Sequence, residues 1–162
     1  RLQTGRLQLN KSAASVDKEL MELCDSYQLR VSQSGISLEL QNEEALPIIE
    51  ADSIQLRRVF VNLLDNAIKF SNPGGSITIS LKAEDELVRI RVTDQGIGMG
   101  PEQIQKLRFN GGYTRRGTAN EKGAGMGLTL VREFTHAHRG ELAILSDPGK
   151  GSTFEVSFPC SK

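Results

Sequence analysis

Ser53-Ile54-Gln55-Leu56-Arg57-Arg58-Val59-Phe60-Val61-Asn62-Leu63-Leu64-Asp65-Asn66-Ala67-Ile68-Lys69-Phe70 is the stretch on which the fold turns. At about 100° per residue, Leu56, Phe60, Leu63, Leu64 and Ala67 gather on one side of a helix. Asn62, Asn66 and Lys69 stand at i, i+4 and i+7 and form a polar row along the border of that apolar side. Asp52 is placed to cap the helix, with Gln55 three residues on as in a capping box. Ser71-Asn72-Pro73-Gly74-Gly75 ends it with a strong turn signal.

Outward from this helix, strands and helices alternate. Toward the N-terminus, a short strand is expected over residues 7–9 and a helix over 17–34, with Val16, Leu20, Leu23, Cys24, Tyr27 and Val31 at helical spacing. Ser34-Gly35 stops that helix, residues 36–40 alternate as a half-buried strand, and residues 47–50 are extended. Toward the C-terminus, strands 76–83 and 87–93 read as a hairpin, followed by a loop over 94–100 and a short helix over 101–107 opened by Pro101. Residues 108–123 hold four glycines and almost no apolar periodicity, and read as a mobile loop. A further helix over 126–137 and a strand pair, 141–146 with 152–158, complete the pattern. The fold class expected is α+β: a two-layer sandwich with helices on one face of a mixed, mostly antiparallel sheet.

Composition narrows the function classes. The 162 residues carry 20 Lys plus Arg against 20 Asp plus Glu, a net charge of +0, which argues against a duplex-DNA binder and leaves room for one polyanion in a local pocket. With 38% apolar and 25% charged residues the chain suits an ordinary globular domain with a real core. No apolar run approaches the roughly 18 residues of a membrane span, and Arg1-Leu2-Gln3-Thr4-Gly5-Arg6 lacks the apolar centre of a signal peptide. Cys24 and Cys160 are far apart, without a Cys-x-x-C or Cys/His cluster, and read as free thiols in a reducing compartment rather than a zinc site.

Three polar features carry chemistry. An Asn side-chain oxygen is a neutral hard ligand for Mg²⁺ and a Lys ammonium is a point charge for phosphate, so the row Asn62, Asn66, Lys69 suits a metal-bound polyphosphate; alone, it also fits a solvated helix face. In Asp94-Gln95-Gly96-Ile97-Gly98-Met99-Gly100, alternate glycines let backbone approach a ligand, and Asp94 at a strand end offers an acceptor for an exocyclic amine such as that of adenine. A plain Asx turn is the other reading. Gly123-Ala124-Gly125-Met126-Gly127-Leu128 leads into a helix whose N-terminal N–H groups form an anion site. It is neither a Rossmann fingerprint nor a Walker loop.

The order of these features resembles the catalytic, ATP-binding domain of two-component sensor histidine kinases, with the Bergerat fold shared with gyrase and the heat-shock chaperone ATPases. Residues 62–70 resemble the N box, 94–98 the first glycine box, 123–128 the second, and Gly149-Lys150-Gly151-Ser152-Thr153-Phe154 the final glycine segment. The resemblance covers nearly the whole chain. It implies that residues 1–6 end a preceding dimerisation helix or linker and that 7–162 form the kinase domain, with an ATP lid at 108–123.

By the same resemblance Asn62 would ligate Mg²⁺, with Asn66 on metal or phosphate and Lys69 on phosphate. Phe70, where the family often has Tyr, would keep apolar contact with the nucleotide. Asp94 would accept from the adenine amino group with Thr153 near it. Gly96 and Gly98 would shape the adenine pocket, lined by Ala67, Ile97 and Met99. Gly123, Gly125 and Gly127, with Met126 and Leu128, would close over the phosphates, and Tyr113 and Arg115 or Arg116 would supply lid contacts. Only Phe109 remains of the family's Phe-containing box.

The family's hydrolases carry a Glu where this chain has Asn62, and an amide cannot serve as a base. The resemblance therefore implies a protein-histidine kinase that donates the γ-phosphoryl group of ATP to a His on a separate dimerisation domain, with a response regulator downstream and little turnover by this piece alone. His136 and His138 sit at a helix C-terminus without acceptor-like surroundings and read as structural. ATP and Mg²⁺ are the expected cofactors. A cytoplasmic monomeric fragment is expected, without nucleic-acid or membrane contact. The degenerate lid also fits a non-catalytic ATP-sensing or partner-binding module, and a serine-phosphorylating relative shares the same fold.

Overall fold

The computed structural model describes residues 2–3, 6–7, 9–42, 45–110 and 124–160, with the backbone alone at 2–3, 6–7, 106–110 and 124–127. In chain order the elements are β1 (Leu2–Gln3), β2 (Arg6–Leu7), β3 (Ser12–Ala14), α1 (Val16–Gln33), β4 (Ser37–Asn42), β5 (Ile49–Ala51), α2 (Ser53–Phe70), β6 (Ser76–Glu84), β7 (Leu87–Asp94), α3 (Pro101–Asn110), α4 (Ala124–Ala137), β8 (Glu141–Ser146) and β9 (Ser152–Pro159). The main sheet has strand order β4-β6-β7-β9-β8. β4 and β6 run parallel and the other pairs antiparallel, as expected of a mixed, mostly antiparallel sheet.

Period-two alternation builds the interface between the layers. Ile77, Ile79 and Leu81 of β6, Val88, Ile90 and Val92 of β7, and Phe154, Val156 and Phe158 of β9 are buried in one core. Leu20, Leu23 and Val31 of α1, Leu56, Phe60, Leu63 and Leu64 of α2, and Val131 and Phe134 of α4 share it. The opposite sheet face is polar, and there Arg89 and Arg91 both grip Glu155. Tyr27 Oη donates to Asp65 Oδ1 over 2.9 Å and Arg30 pairs with the same oxygen at 3.0 Å, fixing α2 against α1. His138 is structural, as expected: its buried ring stacks on Phe134 at 4.0 Å, with Nδ1 2.8 Å from the Phe134 carbonyl oxygen.

Several boundaries differ from the sequence reading. β3 was not expected; it pairs antiparallel with β5, itself shifted to end at Ala51. The strand expected over 7–9 is β2, Arg6–Leu7, paired with β1 inside the stretch read as a linker or helix end. α3 continues through Asn110 and so takes in the first three residues assigned to the lid. α4 begins at Ala124, which puts Gly125 and Gly127 inside its first turn rather than ahead of it. Residues 111–123, with Tyr113, Arg115, Arg116 and Gly123, lie outside the described residues.

The capping box is half formed. Asp52 Oδ1 accepts from the N–H groups of Ile54 (3.1 Å) and Gln55 (3.2 Å), but the Gln55 side chain turns outward to accept from Arg58. Asp52 Oδ2 instead takes the Asn10 N–H at 2.9 Å, tying the incoming chain to the start of α2. Burial pushes this carboxyl up, and the three N–H donors pull it down, to a net value below the ordinary 3.8. Such a group contributes stability that is present above its unfolded pKa and lost as pH falls through the folded one. Asp52→Ala should cost about 2 kcal/mol at neutral pH. Urea titrations should show the gap to wild type narrowing as pH drops below about 4; an unchanged midpoint at pH 7 would refute the cap's role.

Candidate nucleotide-binding site

Three segments far apart in sequence meet at the C-terminal end of α2. Its last carbonyl, that of Phe70, accepts the Ile97 N–H at 3.2 Å, which draws the 94–100 loop against the helix. The Ile97 carbonyl in turn accepts the Gly149 N–H at 2.7 Å, joining that loop to the β8–β9 turn. The approach leaves no room for side chains. A Cβ on Gly96 would lie 1.9 Å from the Phe70 oxygen, and one on Gly98 (φ +69°) 1.9 Å from the Asp147 oxygen. A Cβ on Gly151 (φ +83°) would lie 2.1 Å from the Asp94 carbonyl oxygen.

Asp94 closes β7 on the buried side of the sheet with 4% exposure. Its Oδ1 accepts from the Gly96 N–H (2.9 Å) and the Ser152 N–H (3.2 Å). Oδ2 is thereby left as the oxygen able to accept from a ligand amine. Burial raises the carboxyl above its ordinary value of 3.8, against the downward pull of the two N–H groups.

Thr153 is not the partner of Asp94. Register pairs Asp94 with Ser152 and Thr93 with Thr153, and alternation turns the two pairs to opposite faces. Thr153 Oγ1 lies 3.1 Å from Thr93 Oγ1 on the polar face. On Asp94's side stands Ser152, which the sequence reading passed over together with Ser146. Ser146 Oγ donates to the Gly151 carbonyl (2.8 Å) and accepts from the Met99 N–H (2.8 Å). Its one proton is thus used, so in the 2.7 Å contact between the two hydroxyls Ser152 is the donor. This pair of serines binds the 94–100 loop to the sheet.

Along α2 the polar row is as expected. Asn66 is 8% exposed, and its Oδ1 is buried without a hydrogen-bond partner. An orphaned amide oxygen costs about 1–3 kcal/mol, and it is a donor of the hard, neutral kind that Mg²⁺ accepts. Asn62, Lys69 and Phe70 are half-buried. Ala67, Met99 and Leu128 are apolar members of the core, and α4 presents the N-terminal backbone of its glycine-bearing first turn. No group of three His, Cys, Asp or Glu suited to an ion occurs among the described residues. A metal held here would therefore combine amide oxygens with oxygens of its ligand.

Residues 51–162 match the family described as histidine kinase-, DNA gyrase B- and HSP90-like ATPases. The chain therefore belongs to that family and is an ATP-binding catalytic domain of the sensor histidine kinase kind. It is 32% identical over 96% of its length to the adaptive-response sensory kinase SasA of Crocosphaera subtropica, and spans 41% of that protein. It is 31% identical over 98% of its length to the cell-division control histidine kinase PdhS of Brucella abortus, and spans 16% of it. Among solved structures, full-length ShkA in complex with AMPPNP superposes with a TM-score of 0.81 at 25% identity, over 96% of this chain and 32% of that one. The chain thus spans less than half the length of these relatives. No helix among the described residues is long and apolar enough to cross a membrane.

Proposed function

We propose that this domain holds Mg²⁺-ATP and donates its terminal phosphoryl group to a histidine on a separate dimerisation segment, from which a response regulator receives it. The observation that carries this reading is the buried, partnerless Asn66 Oδ1, on the same helix edge whose end is fastened to the Asp94 loop. Asp94 Oδ2 takes the adenine amino group, and Asn62, Asn66 and Lys69 follow the phosphates along α2. Asn62 and Asn66 would hold Mg²⁺, which when bound would supply charge neutralisation at the phosphates. In that transfer the bond from the γ-phosphorus to the oxygen bridging to the β-phosphate breaks, and its electron pair leaves on ADP. A P–N bond forms at one imidazole nitrogen, and the proton of the other ring nitrogen passes to a base. Asn62 takes no proton, so the site favours a positioned acceptor over water.

The further assignments rest on the same reading: a linker over residues 1–6, a monomeric fragment, and a cytoplasmic place for the domain, without nucleic acid or membrane contact.

Titration with a fluorescent ATP analogue tests the reading. Wild type should bind with Mg²⁺ and at least tenfold more weakly in chelator. Asn66→Leu removes the orphaned oxygen and installs a better helix former. It should melt no lower than wild type and lose the Mg²⁺ dependence. A variant that melts lower and keeps Mg²⁺-dependent binding would show that Asn66 is structural only.

A further inference from the structure

Asp94 has one oxygen to offer a ligand, and a hydroxyl able to take that oxygen stands beside it. Asp94 and Ser152 are register partners across β7 and β9, with their side chains on the same buried face. Such partners hold their Cβ atoms about 5 Å apart. The reach is visible one step along the ladder, where the Thr93 and Thr153 hydroxyls meet at 3.1 Å on the other face. Asp94 Oδ1 already accepts from the main-chain N–H of Ser152 at 3.2 Å, so carboxylate and hydroxyl are neighbours. A serine beside a buried carboxylate gains most by turning its proton onto it, because a charged acceptor makes the stronger bond.

Here the proton goes elsewhere. Ser152 Oγ lies 2.7 Å from Ser146 Oγ, at the end of β8. Ser146 has spent its own proton on the Gly151 carbonyl, so toward Ser152 it can only accept. The Met99 N–H, 2.8 Å away, holds the same oxygen in place. The chain of donation therefore runs from Ser152 to Ser146 to Gly151, away from Asp94. Among the described residues no donor reaches Asp94 Oδ2, and no charged side chain acts on this carboxyl.

Resting on the kinase reading, we infer that Ser146 is a positioning residue for the nucleobase: by holding the Ser152 proton it keeps Asp94 Oδ2 free to accept from the exocyclic amine. Ser146 touches no ligand itself and acts through Ser152. Without it, the Ser152 hydroxyl swings to Asp94 and competes with the base for the same oxygen.

Titration of the fluorescent ATP analogue with Mg²⁺ over a pH series, with urea unfolding alongside, tests this. Ser146→Ala should bind about tenfold more weakly, the loss of about one hydrogen bond. Its affinity should also fail in acid at a lower pH than in wild type, because a hydroxyl donating to the carboxylate favours the charged form. Ser146→Ala combined with Ser152→Ala removes the competing proton. It should recover affinity to within about threefold of wild type and restore the acid midpoint, although both variants leave the Met99 N–H without its acceptor and are alike in urea. If Ser146 only braces the loop, the double variant binds no better than the single one and the midpoint stays where it is in wild type; either result overturns the proposal. Ser146→Cys serves if alanine prevents folding. A thiol is a weak acceptor of similar shape, so the midpoint should again fall below that of wild type, and an unmoved midpoint overturns the proposal. Wild type that binds no analogue defeats the kinase reading itself, and that outcome is read without any variant.

Discussion

Replacing Asp94 by asparagine should weaken binding of an ATP analogue about a hundredfold while leaving the fold standing. Oδ1 survives the change and still accepts from Gly96 and Ser152. The change falls on the other atom, where a carboxylate oxygen becomes an amide NH₂ facing the amino group of adenine, donor against donor. A charge-assisted hydrogen bond is lost and a buried donor is left without a partner, together about 3 kcal/mol.

Stability should move the other way. A carboxyl whose pKa is raised by folding binds its proton more tightly in the native state, so it erodes stability as pH climbs from 3.8 through the folded value. Above that value the penalty is constant. Asp94→Asn removes it, so the variant should melt at or above the wild-type temperature at pH 7, and the advantage should vanish in acid. Acid should also mimic the substitution in wild type: protonation at Oδ2 turns the acceptor into a donor, and calorimetry should show affinity falling through a midpoint above 3.8. Undiminished binding by Asp94→Asn would remove the adenine assignment.

The second large effect is expected at Gly96, whose added methyl would sit 1.9 Å from the Phe70 oxygen and 2.7 Å from its carbon. Neither is a flexible side-chain tip that can swing away. The 94–100 loop must lift off α2, breaking the Ile97–Phe70 bond and moving the Gly96 N–H from Asp94. Gly96→Ala should therefore cost about 2–4 kcal/mol in urea unfolding and abolish analogue binding in any fraction that stays folded. Gly100→Ala is the control. Its added Cβ would come no nearer than 3.9 Å to Pro148, and its φ is not positive, so both stability and binding should stay close to wild type. Equal behaviour of the two variants would mean that the close approach at Gly96 is not what shapes the loop.

What the sequence made legible was local. Helical phase set the apolar and polar sides of α2, and Asp52 and the 71–75 turn marked its ends. The β6–β7 hairpin followed from alternation on either side of Glu84-Asp85-Glu86, where Asp85 (φ 54°) and Glu86 (φ 63°) turn the chain. Two features depend on pairing between distant residues and were hidden for that reason. β3 is three residues long, too short for periodicity to announce, and becomes a strand only through β5. The face presented by residues 152 and 153 is fixed by register with β7, 58 to 60 positions earlier. A one-residue step reverses it, so motif spacing pointed to Thr153 where the geometry holds Ser152. The start of α4 was placed late because glycine is a poor helix former, and its first turn is helical despite two of them.

The bonds that draw the 94–100 loop to α2 and to the β8–β9 turn both end on main-chain carbonyls, those of Phe70 and Ile97. A mould made of peptide groups is indifferent to most substitutions at the same positions, provided no β-carbon intrudes. Most of the side chains can then differ while the fold stays the same, as the superposition at 25% identity attests.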